Sequence, residues 1–308
     1  MIKLGLYSVT YSGTWFKGGL SIEGFIDRAK KFGFDGIEID LKRPHGFPGD
    51  LDAAKCKAIK DYVKANDLEI SAVAGNNNFS SPVRENLENE LLMLKEQIRV
   101  AKELGAPLLR IFAAWHGVTI REGIASYDIA GKYFTYMDST KNEIHDRVLE
   151  CLAEGVKWAE TAGVVLVLQN HPPVTDTYMH MLNFINEVNS PFLQCCLDAP
   201  NCGYYNQSDE YLTKAVQDVG KLQKHTHASG EYDLDTKGNP VMVAWEPDMI
   251  VTNYPAFIKA LKKIEFDGYI SFEFCHVPRR NGKTLGIEYI DEQVGYAVKY
   301  FRKQIQEA

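Results

Sequence analysis

Short apolar runs alternate with stretches whose apolar positions recur every three or four residues, from one end of the chain to the other. The runs cover residues 3–8, 36–40, 69–74, 107–112, 164–170, 192–198, 221–227 and 269–274, each of strand length and several rich in Val, Ile and Leu. Between them lie amphipathic segments. Residues 21–32 put Ile22, Phe25, Ile26 and Ala29 on one face, and residues 143–162 do the same with Ile144, Val148, Cys151, Leu152, Val156 and Ala159. Each such helix can cover one side of a parallel strand. Eight strands, each followed by a helix, in a chain somewhat longer than the roughly 250 residues typical of that architecture, predict a (β/α)8 TIM barrel, not an open doubly wound sheet. No linker or shift of composition divides the chain, so residues 1–308 are expected to form a single α/β barrel domain.

Composition narrows the function classes. With 24% charged and 45% hydrophobic residues the chain is ordinary globular protein, and its net charge of -7 offers no field to attract a polyanion, which speaks against nucleic acid as a partner. No stretch approaches about 18 consecutive apolar residues, and Met1 leads directly into a strand pattern without a leader-like segment. A soluble cytoplasmic protein without membrane contact is expected. Its cysteines, Cys56, Cys151, Cys195, Cys196, Cys202 and Cys275, form no CxxC pair and are expected to be buried reduced thiols.

The barrel prediction directs attention to the C-terminal ends of the strands, where such enzymes carry their reacting groups. Four consecutive strands end in potential ligands: Gln169 in LVLQNH, Asp198 in CLDAPN, His227 in HTH and Glu273 in ISFEF. Neighbouring strands lie about 4.8 Å apart, so these side chains can converge on one ion at the barrel mouth. Three oxygen donors and one imidazole suit manganese or magnesium better than structural zinc. Any one of the four could instead cap a helix or pair with a lysine, but four in register are hard to assign to chance. The rim offers further polar groups: His45 after strand two, His116 beside Trp115 after strand four, His276 after strand eight and Glu231 past His227. His145, near the start of the fourth helix, has a ring of suitable ordinary pKa for proton transfer. The stretch 113–142, with Trp115, Tyr127, Tyr133, Phe134 and Tyr136, is long and aromatic enough for a lid and a platform for sugar rings, and 230–246 is a second candidate lid or partner contact. Arg279, Arg280, Asn281 and Gly282 read as a solvated turn, so no sugar phosphate is expected.

The sequence of strand ends, with LGLYSVTYS at the start and FGFDGIEID in the second unit, resembles the xylose-isomerase-like barrel superfamily of sugar isomerases and epimerases. That resemblance implies Gln169, Asp198, His227 and Glu273 as ligands of a divalent metal, with manganese first and magnesium or cobalt as alternatives. It also implies His225 as the more buried partner of His227 and Asn201 as a substrate contact; from their places at the rim, His45, Trp115, His116, His171 and His276 are expected to contact substrate as well. The family pattern is Glu, Asp, His, Glu; here Gln169 stands first, and a carboxamide can donate oxygen to a metal but cannot accept a proton near neutral pH. Epimerisation between two glutamates is thereby called into question, and Glu273 assisted by His145 is the expected acid–base pair. The segments KRPH, QNHPP and HTHASGE further resemble catalytic subunits of bacterial C-glycoside deglycosidases. This implies a lyase acting on 3-oxo-C-glycosides, with a smaller β-rich partner subunit or self-association. A sugar isomerase or ketose 3-epimerase is the alternative; a metal-free sugar-binding or scaffold barrel and a zinc endonuclease on the same barrel are the competing classes.

Overall fold

The computed structural model describes residues 1–127, 140–202, 208–245 and 249–308. Eight parallel strands close into a barrel: β1 (Lys3–Tyr7), β2 (Gly36–Asp40), β3 (Glu69–Ala74), β4 (Leu108–Ile111), β5 (Val165–Gln169), β6 (Leu193–Cys196), β7 (Gln223–Ser229) and β8 (Tyr269–Glu273). Hydrogen-bonded neighbours follow chain order around the ring, and β8 closes on β1 through pairs such as Leu4 with Ile270. The strands are buried almost throughout, as expected of a parallel sheet covered on both sides.

The helical layer is α1 (Ile22–Phe32), α2 (Ala53–Ala65), α3 (Arg84–Leu104), α4 (Lys141–Ala162), α5 (Tyr178–Val188), α6 (Asp209–Val219), α7 (Tyr254–Lys263) and α8 (Ile287–Glu307). Local chemistry sets its boundaries. Ser21 accepts from the Gly24 N–H to open α1, and Thr140 with Glu143 forms a reciprocal capping box at α4. Gly33 and Gly163 end those helices in the left-handed region at φ 81° and 73°. The faces read from periodicity are the buried ones, including Phe25, Ile26 and Ala29 in α1 and Val148, Leu152 and Ala159 in α4.

Two strands differ from the sequence expectation by more than one residue at an end. β6 stops at Cys196 because its pairing with β5 ends at Gln169; the next donor toward that strand, the Asp198 N–H, goes to the Asn170 side chain at 2.6 Å. β7 continues to Ser229 because β8 supplies ladder partners as far as Glu273.

The long connections above the barrel carry hairpins. Thr119–Arg121 pairs with Ile124–Ser126, and Tyr133, Phe134 and Tyr136 of the same connection lie outside the described residues. Glu231–Leu234 pairs with Pro240–Val243, and this segment is no free lid. Tyr232 is fully buried against Phe272 and Tyr300, and its N–H donates to Gln293 Oε1 at 2.6 Å, which ties the hairpin to α8. Glu246, at the end of the expected second lid, lies outside the described residues. The 279–284 hairpin is exposed, as a solvated turn should be.

Candidate active site

Gln169 ends β5, Asp198 follows β6 by two residues, His227 lies within β7 and Glu273 ends β8. The ligand atoms of Asp198, His227 and Glu273 all lie within 4.8 Å of one another, and His227 Nδ1 is 3.6 Å from Glu273 Oε2. Gln169 joins the group by donating through Nε2 to Asp198 Oδ2 at 2.7 Å; Asn201 Nδ2 donates to the same oxygen at 2.9 Å. One polar atom of each inner residue is therefore committed to the protein. The opposite atoms, Gln169 Oε1, Asp198 Oδ1 and His227 Nδ1, are buried and have no partner. Buried polar atoms are seldom left this way, and such a set of oxygens with one imidazole nitrogen fits a hard divalent cation.

A second layer sets the imidazole. His227 Nε2 lies 3.0 and 2.9 Å from the two carboxylate oxygens of Glu38, and His225 Nε2 lies 2.8 Å from Glu38 Oε2. A carboxylate only accepts, so Glu38 keeps a proton on His227 Nε2, and Nδ1 is the nitrogen that faces Asp198 and Glu273. Burial raises the pKa of Glu38, but His227 and His225 outweigh it and hold the carboxyl well below the usual range. Burial likewise pulls His227 down, and Glu38 and Glu273 lift it above an ordinary imidazole. Asp198 moves the other way: burial and the neighbouring Glu273 charge push it up to about 7. A cation between these two carboxylates would offset that repulsion and favour the charged form of Asp198.

The cluster opens into a cavity of about 520 Å³ at the barrel mouth. Gln169 and Glu273 face it from one side; Tyr7, Asp40, Lys42, Asn76 and Arg110 face it from β1–β4 and the turns after them. Arg110 is fully buried and donates to Gly75 O and Tyr7 Oη, both at 2.7 Å, with Nε 3.9 Å from Glu38. A larger hollow of about 690 Å³ between Lys17, Arg121 and Arg279 is rimmed by exposed charges and includes none of the clustered ligand atoms, so the chemistry belongs to the mouth.

The expected rim residues separate into two groups. Trp115, His116 and His171 line the mouth, with His171 set edge-on to Trp115 at 5.1 Å and Asn201 beside Asp198. Burial lowers the pKa of both His116 and His171 to about 4, which keeps these rings neutral at physiological pH. Three expectations are corrected. His45 is buried beneath its loop, 3.1 Å from Leu20 O and against the Phe25 ring, and does not line the mouth. His276 is sandwiched between Trp245 and Phe274 and pairs with Glu231 at 2.8 Å. That carboxylate is also held by Tyr289 at 2.7 Å. His145 stacks on Phe184 of α5 at 4.7 Å with Nε2 3.1 Å from Glu187, which places it in the helical layer and removes the geometric basis for its assisting Glu273. Glu38, Asp40, Lys42 and Arg110 were not among the expected site residues. The available signal was a pair of acids, Glu38 and Asp40, in an otherwise apolar strand with both faces covered.

Residues 26–294 match the model of the xylose isomerase-like TIM barrel family. The chain belongs to this family. Among curated proteins it is similar to the fructoselysine 3-epimerase of Shigella flexneri, 29% identical over 218 residues that cover 68% of this chain and 71% of that protein, and 28% identical to the one of Escherichia coli O157:H7 over the same extents. Among solved structures it superposes on a D-psicose 3-epimerase studied with D-fructose, at TM-score 0.73, 16% identity and coverage of 98% and 99% of the two chains. A 3-keto-D-glucoside 4-epimerase from E. coli gives TM-score 0.69 at 16% identity, covering 96% and 98%. At these identities the superpositions speak for the fold. Among the described residues no helix is long and apolar enough to cross a membrane.

Proposed function

We propose that the protein is a divalent-metal-dependent sugar epimerase or isomerase that moves a proton at the carbon beside a carbonyl of a ketose or 3-oxo-sugar. The observation that carries this reading is the convergence of unpartnered Gln169 Oε1, Asp198 Oδ1 and His227 Nδ1 beside the Glu273 carboxylate. Gln169, Asp198, His227 and Glu273 would hold the ion, for which manganese fits the donors. Bound there, a divalent ion supplies electrophilic polarisation of the sugar carbonyl and its neighbouring hydroxyl. Glu273 reaches the cavity and takes the carbon-bound proton. Asn201 fixes the Asp198 carboxylate, and Trp115 and His171 offer ring faces to the sugar. The buried cysteines among the described residues are free thiols, which suits a cytoplasmic enzyme.

A second reading, a lyase that cleaves 3-oxo-C-glycosides together with a smaller β-rich subunit or a second copy of the chain, is favoured by one residue. With Gln169 where the family pattern has Glu, elimination from the enolate needs no second carboxylate. Incubating the Mn²⁺-loaded protein in D₂O with D-fructose, D-psicose and 3-oxo-glucosides tests both. Deuterium at the carbon beside the carbonyl with an epimerised sugar supports the first reading, release of the aglycone the second, and neither on any probe refutes the proposal. Gln169→Glu should raise exchange on ketoses and slow any elimination.

A further inference from the structure

Inverting a carbon requires one group to remove a proton and another to return one from the opposite face. Among the described residues that line the mouth, Glu273 is the one carboxylate contributed by β5–β8, and the Gln169 amide can do neither. This inference rests on the proton transfer proposed above and asks where the second group is.

Lys42 follows β2, in the half of the barrel that contributes none of the four candidate ligands, and its side chain lines the same cavity as Gln169 and Glu273. Its ammonium nitrogen sits 5.5 Å from the centroid of the Trp115 ring, which also faces the cavity. Among the described residues no hydrogen bond or ion pair holds it. The adjacent Arg43 is taken by Asp50 at 2.6 and 2.8 Å, and Asp40 is engaged by Asn76 at 2.8 Å. The charges that face Lys42 are Asp40 on β2 and Arg110 on β4, and their effects on it oppose one another. Most surface lysines are solvated or paired; this one is half-buried, points into a reaction cavity and is unpaired.

We propose that Lys42 is the second proton-transfer residue, acting on the substrate carbon from the side that Glu273 does not serve. In one direction the Glu273 carboxylate takes the proton beside the carbonyl: the C–H bond breaks, an O–H bond forms and the electron pair passes into the enolate. The Lys42 ammonium then protonates the same carbon from the other face; its N–H bond breaks, a new C–H bond forms, and a neutral amine and a protonated carboxyl remain, to be reset by exchange with water. In the reverse direction Lys42 is the base. Its environment suits both states: burial lowers its pKa, Asp40 counters that and Arg110 adds to the fall, bringing the amine closer to neutral pH than an exposed lysine.

The test has two arms, both on the Mn²⁺-loaded full chain. In D₂O with D-fructose and a 3-oxo-glucoside, Lys42→Met and Lys42→Arg should each bind Mn²⁺ as the parent does and lower inversion by about 10²–10⁴-fold. Deuterium wash-in through Glu273 should fall much less. Lys42→Arg keeps the charge but cannot give up its proton, so inversion rescued by Arg would reduce Lys42 to a fixed charge and overturn the proposal. If the parent exchanges no proton on any probe, the proposed function has failed, and the second arm decides the reactivity of Lys42 separately. Trace acetylation with acetic anhydride across pH 6–10, read by mass spectrometry, should give Lys42 a midpoint below those of the exposed lysines; a midpoint shared with them overturns the proposal.

Discussion

Strands β5–β8 and strands β1–β4 both end in polar residues at the barrel mouth, but they use them differently. On the first side, Gln169, Asp198 and His227 each leave one atom without a protein partner and turn it toward the others. On the second, Tyr7, Glu38, Asp40 and Arg110 are engaged with each other, with Asn76 and Gly75, or with the histidines of β7. One half is arranged to receive a ligand and the other, Lys42 apart, to hold its own groups still. Glu38 reaches across to the imidazoles, and through it the fixed half dictates which nitrogen the receiving half presents.

Substitutions should separate the halves cleanly. Asp198→Asn removes a charge from the receiving side and relieves its repulsion with Glu273. The metal-free protein should keep its stability while Mn²⁺ affinity, measured by calorimetric titration, falls by more than the 10–100-fold usual for outer partners. Arg110→Met should do the reverse. It leaves Tyr7 and Gly75 without their donor and Glu38 with less compensating charge, and urea unfolding of the metal-free protein should show a loss of about 3–5 kcal/mol. Glu38→Gln sits on the boundary and should weaken Mn²⁺ binding by about 10–100-fold, because the amide releases the imidazole from its tautomer. Unchanged affinity in that variant would break the link between the halves.

Acid should act through the rings of the mouth. His116 and His171 protonate near pH 4 when folded and near 6.5 when unfolded, so the unfolded chain takes up protons first as pH falls. Their contribution to stability is therefore complete above about pH 6.5 and is lost toward pH 4. His171→Gln should flatten the fall in Tm across that window. The smallest effect is expected at His145→Ala, where turnover should stay within about twofold and stability should drop by no more than about 1 kcal/mol, the scale of a partly exposed ion pair.

These contrasts also explain what could be read from the chain. The barrel was legible because each strand and helix announces itself within its own window, and Gln169, Asp198 and Glu273 were legible because each ends or follows a strand. Glu38 was not, since its partner His227 lies 189 residues away and no local pattern connects them. His145 misled for the same reason: its place near the start of the fourth helix suggests the mouth, but Phe184 and Glu187 of another helix decide what its ring touches. His276 was drawn off the rim by Glu231, in the hairpin after β7, and Trp245, just beyond that hairpin.

The bond from Glu38 to His227 has a consequence for how the protein is made. All four candidate ligands lie between residues 169 and 273, so a chain emerging from the ribosome has its first two strands long before it has anything to hold a metal. Those early strands carry an acid, Glu38, that is buried in the finished barrel against the histidines of β7. Metal capture with the right nitrogen presented therefore comes after the early and late strands have met, and tight ion uptake would report that the barrel has closed.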